Sequence, residues 1–137
     1  MGRIVTQLSF NTTYKYDPAK TGITIPLELL AYGRSIGVEA KLDTGSQFCI
    51  FEPAYAASLE IDVRTGREIR MLTASGMFPA FGHWVELQFL HYRFEVEVFF
   101  ASERIGRNFV GQTGWLDRLR IGIVHHDNLL YVARYDE

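Results

Sequence analysis

From Gly22 onward, apolar residues fall on every second position. Ile23, Ile25, Leu27 and Leu29 alternate with Thr24, Pro26 and Glu28, the period of a strand with one buried face. Pro26 inside the run predicts an edge position or a bulge, because proline cannot donate to a ladder. Tyr32-Gly33-Arg34-Ser35 supplies a turn, and residues 36–42 return with Val38, Ala40 and Leu42 on one face, predicting a hairpin. The run Phe48-Cys49-Ile50-Phe51 is short and wholly apolar, as in a strand buried on both faces. Pro53 fits the first turn of a short helix over 53–60. Residues 68–73 and 81–89 read as arms of a second hairpin around Ala74-Ser75-Gly76-Met77. Phe94, Val96, Val98 and Phe100 alternate with Glu95 and Glu97 in another strand, and residues 129–132 form a last one. Thr113 is a candidate cap for a short helical segment reaching Leu119.

Many short strands with one or two short helices predict a mostly-β barrel in one domain, a size that 137 residues suit. The aromatic content of 14% and the frequent Val, Ile and Thr agree with strands. Residues 1–21 are the loosest part. Residues 3–8 read as a possible strand, but Asn11-Thr12-Thr13 and Tyr16-Asp17-Pro18 are turn chemistry. The expected division is therefore an N-terminal extension, 1–21, and a folded domain, 22–137.

Charge and cysteine content narrow the partners. A net charge of -2 and no Lys/Arg run argue against a nucleic-acid partner. No apolar run approaches membrane-spanning length, so no membrane partner is expected. Cys49 is the single cysteine, which excludes an intrachain disulfide framework and a Cys-rich zinc site. With no signal-peptide core near the first residues, a cytoplasmic location is expected.

The strongest chemical candidate is Asp43-Thr44-Gly45, a carboxylate turn between a Val/Ala/Leu strand and the Phe-Cys-Ile-Phe run. Such a turn should lie well inside the molecule, where an ionised carboxylate is costly unless supported. Rival sets are poorer. His125-His126-Asp127 reads as a polar turn before Leu129, since adjacent histidines on a strand face opposite ways. His83 and His91 have no partner at ligand spacing. Cys49 lies in the most apolar run, where a thiol packs inertly. Glu95 and Glu97 share one strand face and read as a solvated edge. Trp84, Trp115 and the ten phenylalanines suit a core and a dimer interface.

Leu42-Asp43-Thr44-Gly45-Ser46 resembles the active-site turn of aspartic proteases. Phe109-Val110-Gly111, with Trp115-Leu116 and Leu119 behind it, resembles that family's second motif. The 68-residue spacing from Asp43 to Gly111 and the intervening hairpin resemble a retropepsin-like, retroviral-type protease of the bacterial branch. Gln112 stands where the family often carries Arg or Lys after the glycine. The resemblance implies a closed acid-protease β-barrel, one domain per chain, paired as a two-fold homodimer. It implies Asp43 as catalytic residue, Thr44, Gly45 and Ser46 as support for the active-site turn, and Val110 and Gly111 as second-motif support. Ala74, Ser75, Gly76 and Met77 would form a flap over a polypeptide substrate, with no metal and no cofactor. By the same resemblance, the Thr44 hydroxyl bonds across the two-fold axis, and Ser46 bonds its own Asp43 carboxylate. Only Asp43 of the six aspartates is followed by Thr-Gly. Two carboxylates that share a proton must then come from two chains. The implied activity is peptide-bond hydrolysis by water held between two Asp43 side chains. The alternative is a non-catalytic dimeric β-barrel that binds extended peptides.

Overall fold

The computed structural model describes residues 2–73 and 76–137. In chain order its strands begin with β1 (Thr12–Lys15), β2 (Thr24–Ala31), β3 (Arg34–Leu42) and β4 (Ile50–Phe51). The helix α1 (Pro53–Ser58) follows, then β5 (Arg67–Thr73), β6 (Gly76–Phe89) and β7 (Tyr92–Ala101). The chain ends with β8 (Phe109–Val110), β9 (Leu119–Val124) and β10 (Leu129–Arg134). One sheet runs β1-β10-β9. The other runs β2-β3-β8-β4-β7-β6-β5, and β2 also pairs with β6 between Glu28–Leu30 and Glu86–Gln88. Among the described residues no helix is long and apolar enough to cross a membrane.

The alternating positions face inward as their period requires. Ile25, Leu27 and Leu29 of β2 and Val38 and Ala40 of β3 are buried, and a two-residue turn at Tyr32-Gly33 joins the strands. Both turn residues have positive φ, 53° and 73°, the geometry that matches the twist of a hairpin. Pro26 pairs with Glu39 on one side and lies outside the β6 pairing on the other, an edge position for a residue without an N–H. One large apolar cluster joins the two sheets, from Leu29, Phe51, Phe89 and Phe100 to Leu130 and Val132. Trp115 is fully buried against Phe89, with ring centroids 5.5 Å apart.

Several elements differ from the sequence expectation. Residues 3–8 form no strand and stay exposed, while Thr12 and Thr13, read as turn chemistry, open a strand through Lys15 that pairs with β10. Tyr16, just after β1, is buried in the common core. The helix over 53–60 stops at Ser58 because Glu60 takes the left-handed conformation. The Ile61 N–H then reaches Ala56 O (2.9 Å) and the Glu60 N–H reaches Ala57 O (3.0 Å). No helix follows Thr113. Gly114 has φ of 101°, which no α-helix accommodates, and the chain turns there into β9, a strand not expected. Gly76 and Met77 belong to β6 rather than to a turn, and Ala74 and Ser75 lie outside the described residues.

The charged face of β7 is not a free edge. β7 lies between β6 and β4, and Glu97 is mostly buried in an ion pair with Arg67 (2.7 Å), while Glu95 is exposed. Two histidines bond across the fold, His83 Nε2 lying 2.7 Å from Val63 O and His125 Nδ1 2.6 Å from the Tyr16 hydroxyl, and His125–Asp127 form a 3₁₀ turn ahead of β10. Among the described residues, no three His, Cys, Asp or Glu side chains cluster as a metal site.

Cys49 is fully buried, and burial pushes its thiol up to about 12, against a smaller downward pull from the Gly111 backbone. A raised value keeps the group neutral up to that range, and only the thiolate alkylates. The folded protein should therefore resist iodoacetamide at pH ~8 and react once unfolded. Mass spectrometry of the two samples checks this, and rapid native labelling would contradict it.

Candidate active site

β3 delivers Leu42 to the turn, and the chain of the second motif runs parallel beside it, pairing Lys41 with Phe109 and Leu42 with Val110. The Asp43 N–H donates to Val110 O (2.9 Å), and the Leu42 N–H donates to Ile23 O (2.8 Å). Within the turn, the Ser46 N–H donates to Asp43 O (3.1 Å). The Gly45 N–H donates to the Asp43 carboxylate Oδ1 (3.0 Å), so the side chain itself helps close the loop. The Ser46 hydroxyl does not reach that carboxylate. It donates to Phe48 O at 2.7 Å, because the turn aims it along its own chain towards β4.

The second motif then lies directly on the turn. The Gln112 N–H donates to Ser46 O (2.8 Å), the Thr113 N–H to Gln47 O (2.9 Å), and Gln112 Nε2 to Thr44 O (2.7 Å). Gln112 thus supplies a side-chain brace to the turn. A Cβ on Gly111 would sit 2.3 Å from Ser46 O and 2.6 Å from Phe48 O, so only glycine lets the two backbones approach this closely.

A buried amide ties the arrangement to the neighbouring loop. Asn108 Nδ2 donates to Glu39 O (3.0 Å), and its Oδ1 accepts from the Glu52 N–H (2.9 Å). Glu52 Oε1 accepts from the N–H groups of Ile105 and Arg107, both at 3.0 Å. Neither Asn108 nor Glu52 stood out in the sequence. The one available signal was Asn108 immediately before the second motif.

Asp43 is half-buried in the single chain rather than deep inside it, because the turn sits at the surface end of β3 and β8. Asp43, with Gly45 and Ser46, lines a cavity of about 540 Å³ whose apolar side includes Ile50, Met71, Phe78, Ile105 and Phe109. Met71 and Phe78 come from the β5–β6 hairpin, which brings that hairpin beside the turn. Val110 and Gly111 are buried behind the turn. Thr44, Gly76 and Met77 are exposed and outside the cavity wall, and Ala74 and Ser75 fall outside the described residues.

No family model matches this sequence, and no curated protein matches it. Solved structures do. A retropepsin-like aspartic protease from Rickettsia conorii superposes with a TM-score of 0.65 at 14% identity, over 89% of this chain and 97% of that one. EIAV protease, in complex with the inhibitor HBY-793, gives a TM-score of 0.54 at 15% identity, over 70% of this chain and 86% of that one. The chain therefore has the retropepsin-like fold, mostly β in a single domain with one short helix. It is structurally similar to retropepsin-like aspartic proteases, a bacterial one included.

The close approach at Gly111 sets a test. Gly111→Ala should lose about 2–4 kcal/mol of stability, because the backbones at Ser46 and Phe48 must separate. Gly37→Ala, whose Cβ meets nothing within 4 Å, should cost less than about 1 kcal/mol. Urea unfolding of both compares them, and equal midpoints would show that the contact does not constrain the fold.

Proposed function

We propose that the protein is an aspartic endopeptidase that acts as a homodimer, with one Asp43 from each chain. The observation that carries this reading is the Asp43-Thr44-Gly45 turn, braced by Gly111 and Gln112 and lining a cavity with an apolar side, in a retropepsin-like fold. Each chain has one such motif, and a shared-proton mechanism needs two carboxylates. Half-burial of Asp43 in the single chain is consistent with a site that a second chain completes.

In the pair, one Asp43 is ionised and the other holds a proton. The ionised carboxylate takes a proton from the water between them, and the resulting hydroxide attacks the scissile carbonyl. The protonated partner hydrogen-bonds the carbonyl oxygen and gives up its proton to it, forming a diol. As the diol collapses and the C–N bond breaks, the proton gained by the first Asp43 passes to the leaving amine. One diol hydroxyl returns its proton to the partner Asp43, which restores the starting dyad. The exposed Thr44 hydroxyl braces its counterpart across the axis. Gly76 and Met77 sit near the end of the hairpin that would fold over an extended peptide and pair with its backbone.

Asp43→Asn should keep the fold and the dimer while lowering cleavage by at least ~10³-fold. An unstructured peptide library, incubated beside wild type and read by mass spectrometry, checks it. Undiminished products from Asp43→Asn would refute the reading. A wild-type dimer that binds peptides but yields no products would establish the non-catalytic barrel instead.

A further inference from the structure

Residues 102–108 bring three charged side chains to a cavity of mixed polar and apolar lining. Arg104, Arg107 and Glu103 all line the space that Asp43 faces. Among the described residues, neither arginine forms an ion pair. Several other arginines are matched, Arg34 with Glu60, Arg67 with Glu97, Arg93 with Glu86 and Arg134 with Asp136, while Arg64 and Arg120, also outside ion pairs, lie away from the cavity lining. Within this loop two exposed arginines outnumber one carboxylate, and with Asp43 the cavity lining holds two cationic and two acidic side chains.

The loop that presents them is held in place. Glu52 Oε1 accepts the N–H groups of Ile105 and Arg107, so backbone bonds set the loop while the arginine side chains stay free of that carboxylate. The Arg107 guanidinium lies over the Phe109 ring, 5.1 Å from its centroid, and Phe109 is itself part of the cavity wall. Stacking of this kind orients a guanidinium while leaving its edge N–H groups able to donate. A planar fork of donors beside an apolar surface is suited to a carboxylate carried on a chain that also presents an apolar side chain.

The geometry points to Arg104 and Arg107 as specificity-determining residues that select polypeptides with an Asp or Glu beside the apolar residue seated in the cavity. This rests on reading the cavity as the peptide-binding half-cleft of an endopeptidase. Ile50, Met71, Phe78, Ile105 and Phe109 receive the apolar side chain, and the two arginines receive its acidic neighbour.

The test uses two matched pools of unstructured peptides, identical except for Glu or Gln at fixed positions among varied apolar residues. At pH ~6.5, where Glu is ionised, wild type should cleave the Glu pool roughly fivefold faster in kcat/KM at low salt. The preference should shrink near ~1 M salt and fall to about one in the double variant Arg104→Gln/Arg107→Gln. The ratio is the readout, because a general loss of fold would lower both pools alike. A wild-type ratio of one or less overturns the assignment, as does a preference that survives in the double variant. Fluorescence anisotropy of the same pools on Asp43→Asn reads the wall without the chemistry. Absence of cleavage by wild type, with tighter arginine-dependent binding of the Glu pool, would remove the protease reading and leave the acidic selectivity. Equal binding of the two pools would remove the selectivity whether or not peptides are cleaved.

Discussion

The structure depends on one close contact, the stretch 111–113 lying flat against the Asp43 turn. Three hydrogen bonds cross it, to the carbonyls of Thr44, Ser46 and Gln47, and a fourth runs from the Asp43 N–H to Val110 O. Each of these backbone groups would otherwise need water or another partner, at about 1–3 kcal/mol for a buried unpaired one. Gly111 makes the contact sterically possible, and Gln112 extends it with a side chain. The turn is thereby held from a point distant in the chain, and the Asp43 carboxylate is oriented before any ligand arrives. Preorganisation of that kind suits the role proposed for Asp43.

Around this contact the protein combines a fully apolar interior with a deliberately polar seam. Asn108 and Glu52 run from β3 to the loop at 105–107 through five hydrogen bonds in all, each to a backbone group or to Tyr55. The seam explains how an exposed charged loop keeps a defined place beside the cavity.

Much of this was legible in the sequence, and the rest was hidden for physical reasons. The β2–β3 hairpin and the buried faces of β6 and β7 follow from period-two alternation, which burial on one side enforces. Asp43-Thr44-Gly45 and Phe109-Val110-Gly111 are local patterns, so both could be read in place. β1 was concealed because Thr12–Lys15 is polar and becomes a strand through tertiary pairing with β10. β9 was concealed by Thr113, which resembles a helix cap until Gly114 turns the chain away. The brace from Gln112 to Thr44 and the bonds from Glu52 to Ile105 and Arg107 span more than fifty residues, and no local pattern announces them.

The central claim is that one functional site takes an Asp43 from each of two chains. Mixing wild type with Asp43→Asn at constant total concentration, after exchange of subunits, tests it most directly. If both carboxylates belong to one site, an equal mixture should retain roughly a quarter of the wild-type peptidase activity, the fraction of dimers with two aspartates. Retention of roughly half, in proportion to the wild-type chains present, would mean that each chain acts alone and would contradict the account.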